Sequence, residues 1–249
     1  MTRDRLWVLA ALASVVALCW WYLIRAGRDM YGAMDGPAAW MMAGNWDAQY
    51  LLLMCGMWTV MMAGMMLPSA VPTLMLYGAV LRNGDAAAAG FARSASFALG
   101  YLLAWTAFSI GATLLQWGLA NHALVSPMMQ STRPLLDAGV LIAAGLYQWT
   151  PLKRNCLRQC RAPADFISRH WRHGADGALR MGLHHGFYCV GCCWTLMLLL
   201  FVGGVMNLAW IAAISVVVLL EKLLPLGEAG GRAGGVLLIA AGLAVLLKG

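Results

Sequence analysis

Charge is what this sequence has least of. Asp, Glu, Lys and Arg together make up 11% of its 249 residues, against about 25% in an ordinary globular domain. So few charges cannot cover a soluble surface, and a disordered chain needs more of them still. Carboxylates are the scarcest, with ten Asp and Glu in the whole chain. None sits clearly deep in an apolar run, where proton- or sodium-coupled pumps keep theirs. A glycine-rich phosphate loop is missing, as is any Ser/His/Asp arrangement with an evident role, so nucleotide-driven and triad chemistry have no foothold. Internal repeats are absent. Seven cysteines in 249 residues are too dilute for a disulfide scaffold.

What the chain has instead is apolar length. Sixty-two per cent of it is hydrophobic, which leaves one class: an all-α, polytopic transmembrane helical bundle lying in a lipid bilayer. The expected spans are 6–24, 48–80, 94–120, 134–152, 181–202, 205–220 and 233–247. They number seven, or six if the short last segment does not cross. The first reads as a retained helix and not a cleaved signal, since Trp20, Trp21 and Tyr22 form an interfacial belt and no Ala-x-Ala site follows. The second is too long for one crossing, and Pro68 and Pro72 should kink or unwind it. From Met181 to Leu220 no charged residue occurs, which suits two spans meeting at Gly203–Gly204. Glu221 and Lys222 follow as an interfacial pair.

The net charge of +7 is explained by its distribution. With a cytoplasmic N-terminus, the inner loops collect Arg3, Arg5, Arg82, Arg93, Lys222, Arg232 and all seven Lys and Arg of the basic cytoplasmic loop 153–180. The outside keeps Arg25, Arg28, Arg133 and Lys248. That asymmetry sets the orientation and removes nucleic acid as a partner. The expected setting is an inner (cytoplasmic) membrane, and the chain is free to form an oligomer there.

The unusual content is soft donors inside apolar segments. His184-His185-Gly-Phe-Tyr-Cys189-Val-Gly-Cys192-Cys193 lies in the fifth span. At about 100° per residue, His185, Cys189, Cys192 and Cys193 share one arc and His184 falls outside it. In the second span Met54, Met57, Met61 and Met65 share an arc, and Cys55, Met62 and Met66 an adjoining one. Cys156 and Cys160, spaced i, i+4, lie in the cytoplasmic loop. Met30, Met34, Met41 and Met42 precede the second span and could collect an ion outside. Thiolates and thioethers select Cu(I). Zinc rarely accepts Met and is disfavoured, and haem is disfavoured because no opposed His pair is evident. Against this stands ordinary packing, since Met fills core gaps and free Cys is a small buried hydrophobe.

Three stretches carry a family resemblance: MMAGMMLPSAVP (61–72), LYQWTPLKRNCLRQC (146–160) and MGLHHGFYCVGCCWTLMLLLFVGGVMNLAW (181–210). Through them the chain resembles a bacterial family of predicted metal-binding integral membrane proteins of unknown function. The resemblance implies metal binding but no reaction, and it falls on His184, His185, Cys189, Cys192, Cys193, Cys156, Cys160 and the run Met61–Met66. The sequence thus predicts a membrane protein that binds, and possibly transports or hands over, Cu(I) through Cys189, Cys192, Cys193, His185, His184, Met57, Met61, Met62, Met65, Met66, Cys156 and Cys160. A metallochaperone or a larger membrane complex is the expected partner. The reading favours a non-catalytic role. Its rivals are a membrane thiol oxidoreductase using Cys189-x-x-Cys192 and a structural subunit packed through Gly230/Gly234 and Gly231/Gly235. The second and fifth spans should touch through their sulfur faces.

Overall fold

A computed structural model describes residues 3–32, 39–42, 45–82, 90–224 and 227–248. Met34 and the side chain of Met42 lie outside the described residues. Helices make up the fold: α1 (Arg3–Tyr31), α2 (Ala48–Arg82), α3 (Gly90–Asn121), α4 (Pro134–Tyr147), α5 (Pro151–Arg161), α6 (Pro163–His170), α7 (Gly174–Leu198), the single turn α8 (Leu200–Gly203), α9 (Leu208–Leu223) and α10 (Gly227–Lys248). No strand occurs among the described residues beyond an isolated bridge between Val125 and Ser131.

Five helices are long and apolar enough to cross a membrane: Leu6–Tyr31, Ala48–Leu81, Gly90–Asn121, Gly174–Gly203 and Ala229–Lys248. The last segment, expected to be short, is a 22-residue helix. α4, with 14 residues, and α9, with 16, are the short ones, reaching about 21 and 24 Å at 1.5 Å per residue. α2 stays helical through Pro68 and Pro72. The carbonyl of Gly64, deprived of the N–H that Pro68 lacks, accepts instead from Trp20 Nε1 at 3.2 Å.

Segment 153–180 is not a loop. Thr150 caps α5 by accepting from the Lys153 N–H, and Pro151 sits at the first helical position, where its missing N–H costs nothing. α5 and α6 fold back against α7 and α2. At the centre of the bundle α3 and α7 run side by side in the most extensive interface of the molecule. Small residues permit the approach. A Cβ on Gly182 would stand 1.9 Å from the Phe97 carbonyl oxygen, and one on Gly100 would stand 2.0 Å from that of Leu179. The second closest pairing, α4 with α10, is made the same way, with Gly145 against Gly235. So Gly235 of the expected stripe packs within the chain, while the tighter pair Gly182/Gly186 passed unnoticed.

Burial is inverted relative to a soluble protein. Leu52, Leu237 and Leu247 are 74%, 71% and 89% exposed, while Lys153 and Lys222 are 2% and 6% exposed. Exposed leucines of this kind are consistent with a multi-pass membrane protein.

Candidate metal centre

The α7 stripe faces inward. His185, Cys189, Cys192 and Cys193 are buried, whereas His184 is exposed. Cys192 and Cys193 turn their thiols back onto the Cys189 carbonyl, at 3.1 and 3.0 Å. The close α3–α7 approach brings the Tyr101 hydroxyl to 2.9 Å from Cys189 Sγ. Tyr101 also donates to the Met66 carbonyl at 3.0 Å.

The cysteines of α5 join this stripe. α5 packs along α7, and Cys156 occupies the space that a side chain at position 191 would need. A Cβ on Gly191 would lie 2.8 Å from Cys156 Sγ. Burial pushes the Cys156 thiol up, and Cys192 adds to the shift. One turn on, the neighbouring thiols of Cys189 and Cys192, together with burial, hold the Cys160 thiol well above its ordinary value. The five thiols are all free.

A cation completes the arrangement. Lys222 points inward from the end of α9, donating to Cys189 Sγ at 2.8 Å and to Ser69 Oγ at 3.0 Å. A buried ammonium needs a counter-charge or dense hydrogen bonding, and the Cys189 sulfur is the anion-capable group at hand. Glu221 does not pair with its neighbour Lys222. Successive helical residues differ by about 100° in direction, and Glu221 turns to Lys153 of α5 instead, at 2.7 Å. Lys153 also donates to Gln148. The ion pair therefore clamps α5, with its two cysteines, to α9.

The methionines of α2 are equally buried. Met54, Met57, Met61, Met62, Met65 and Met66 are each at most 3% exposed. They belong to the same buried cluster as Cys189, Cys192 and Cys193. α2 packs on α1, α3 and α9 and has no broad interface with α7. The link runs from the Met66 carbonyl through Tyr101, and from Ser69 through Lys222, to Cys189. Tyr101 and Lys222 thus tie the α2 segment 66–69 to Cys189.

The histidines divide. His185 is enclosed by the rings of Phe97, Tyr101 and Phe166, and its buried Nδ1 has no hydrogen-bond partner among the described residues. His184 stands edge-on to His170, ring centroids 4.5 Å apart, and lies against Tyr188. It is remote in direction from the thiols.

The donor set fits a soft ion. It holds five thiols from two helices, an orphaned imidazole nitrogen and a column of thioethers, while the nearby Glu221 carboxylate is taken up by Lys153. Harder divalent cations prefer oxygen. Among the described residues no three of His, Cys, Asp or Glu are already spaced as metal ligands. Cys192 and Cys193 would have to swing away from the Cys189 carbonyl to serve together. Three residues of this centre went unread in the sequence: Lys222, Tyr101 and Ser69. A signal existed for the first. Ile211, Ile214, Val218 and Lys222 are the buried residues of α9, and their i, i+3, i+7, i+11 spacing puts the lysine on the inward face.

The sequence model of a copper chaperone family, PpoB2, matches residues 55–245, which takes in the α2 methionines from Met57 onward and all five clustered cysteines. The chain belongs to this family. No curated protein and no solved structure matches it.

Proposed function

We propose that this copper chaperone works from within the membrane, as a multi-pass protein that holds Cu(I) on Cys160, Cys189, Cys192 and Cys193 and passes it to a partner. The observation that carries this reading is the convergence of α5 and α7 cysteines around a buried lysine. Thiols far apart in sequence (Cys156 and Cys160 from one helix, Cys189, Cys192 and Cys193 from the other) supply softer ligation than any single helix could. The thiols lose their protons to solvent as the ion binds, and ligation offsets the cost of thiolate charge in an apolar setting. Lys222 offers a matching positive charge to the thiolates. Cu(I) bound by two or more thiolates keeps a net negative charge, which Lys222, held by Ser69, balances. The α5 face, which the charge asymmetry assigns to the cytoplasm, is the side open to a soluble metallochaperone. In this reading seven segments cross a bacterial inner membrane, with the N-terminus inside.

The test is uptake of Cu(I) by purified protein under reducing conditions, in competition with a chromophoric Cu(I) chelator. Wild type should take the ion, and Cys189→Ser with Cys192→Ser should lose most of that uptake. Wild-type protein that takes none would overturn the proposal. One observation favours the redox alternative enough to keep it. An i, i+3 pair on an intact helix strains to reach disulfide geometry, but Cys160 beside Cys189 gives each thiol a partner on another helix. A Cys160–Cys189 disulfide formed at the expense of a quinone, in protein that ignores Cu(I), would identify a thiol oxidoreductase.

A further inference from the structure

The far end of the bundle holds a second arrangement of sulfur. A cavity of about 240 Å³ opens there, lined among others by Met41, Trp46, Tyr50, Gln116, Val125 and Met129. Met41 comes from the 3-10 turn before α2, and Met129 from the connection between α3 and α4. Both are buried, at 1% and 2% exposure. Resting on the copper reading above, we propose that this cavity is a separate, weaker site for a soft monovalent cation, Cu(I) or its surrogate Ag(I), with the thioethers of Met41 and Met129 as donors.

Three features carry the proposal. The first is the backbone of Met129. It sits at φ +56°, a region that unbranched residues other than Gly and Asn rarely occupy. The chain pins it there. Its N–H donates to the Ser126 carbonyl at 2.8 Å, and its carbonyl accepts from the Val205 N–H at 3.1 Å. Ser126 N–H to the Gln130 carbonyl at 2.8 Å closes the turn. Glycine would suit this conformation better, so the methionine side chain is retained at a conformational cost. Strain of this kind collects at ligand sites.

The second is the chemistry of the walls. Met41 is fixed by its carbonyl, which accepts from the Tyr50 hydroxyl at 2.5 Å, and Tyr50 is wedged edge-on between Trp40 and Trp46. None of the cavity-lining residues is charged. Asp47 is engaged elsewhere, its carboxylate accepting from the Tyr50 N–H at 2.7 Å as the cap of α2. Among the described residues the lining presents no carboxylate to a divalent cation, and its thioethers and aromatic faces match a soft ion of single charge.

The third is what lies beneath. Gln116 gives its carbonyl oxygen to Trp58 Nε1 at 2.7 Å and turns its amide toward Met54 Sδ at 4.0 Å. Met54 heads the buried column that continues through Met57, Met61 and Met65. The cavity therefore adjoins, through Gln116, the buried methionine column of α2, which ends beside Tyr101 at Met66. A neutral site there collects the ion without a proton exchange, and the thiols below hold it more tightly.

Full-length protein carrying ¹³C-methyl methionine and the Cys189→Ser, Cys192→Ser pair is titrated with Ag(I), following methyl resonances. The signals of residues 41 and 129, assigned by Met41→Leu and Met129→Leu, should shift first and together. The Met-to-Leu double variant should lose this weak class of binding while wild-type thiols still take Cu(I) in the chelator assay. Unmoved signals from residues 41 and 129, or undiminished weak binding in the double variant, would overturn the site and leave the cysteine centre untouched. Failure of the thiols alone would overturn the copper reading of the cysteine centre and leave the cavity standing.

Discussion

The two ends of this bundle handle sulfur in opposite ways. At the α5 end, thiols gather with a buried lysine, and a Lys153–Glu221 pair clamps the helix that brings two of them. At the α2 end, thioethers line a cavity and a column without a charge among them. The difference follows from the donors. A thiol that ligates becomes an anion, so its site needs a compensating cation and rigid support. A thioether stays neutral, so it can sit in a core that is also held by ordinary packing. The inner centre should therefore fail when its charges are altered, and the outer column should tolerate replacement.

The largest expected effect is on the clamp. Glu221→Gln leaves Lys153 nearly buried without its anion, and breaking such a pair costs about 3 kcal/mol. Thermal unfolding in detergent should fall accordingly, with Cys156 becoming faster to alkylate as α5 loosens. An unchanged midpoint would mean that α5 is held by α7 alone. Next comes Lys222→Met, which keeps the volume and removes the cation. Groups that support metal ligands without touching the metal typically matter about 10- to 100-fold, and Cu(I) affinity in the chelator assay should drop by that order. Undiminished affinity would separate Lys222 from the metal centre and reduce it to packing.

Gly191→Ala tests whether Cys156 must lie against α7. The added methyl would stand 2.8 Å from its sulfur, and overpacking of this kind costs about 1–3 kcal/mol. Cu(I) uptake should fall less than in Lys222→Met, because Cys160, Cys189 and Cys192 remain. The smallest effect belongs to Met61→Leu with Met65→Leu. A volume-conserving swap costs less than about 1.5 kcal/mol, and equilibrium Cu(I) binding should weaken only slightly while thiols dominate it. A loss as large as that of Lys222→Met would erase the contrast between the two ends.

Much of this was legible in the chain itself. Sparse charge and long apolar runs dictate a helical bundle, because buried backbone groups can be satisfied within each helix. The hundred-degree periodicity of α7 put His185 and the three cysteines on one face and His184 on another, and burial divides them the same way. The composition of the sulfur donors pointed to copper before any fold was known. Other features depend on distances across the chain, which periodicity cannot measure. Whether Cys156 and Cys160 dangle in a loop or lie on α7 was decided by Gly191, whose missing side chain leaves the room. Whether Glu221 and Lys222 pair was decided by their 100° separation and by the different neighbours each one meets. Sequence determined the donors and the helices that carry them; tertiary packing alone decided which donors meet, because that depends on how closely α3, α5 and α9 can approach α7, and glycines and one buried ion pair set those approaches.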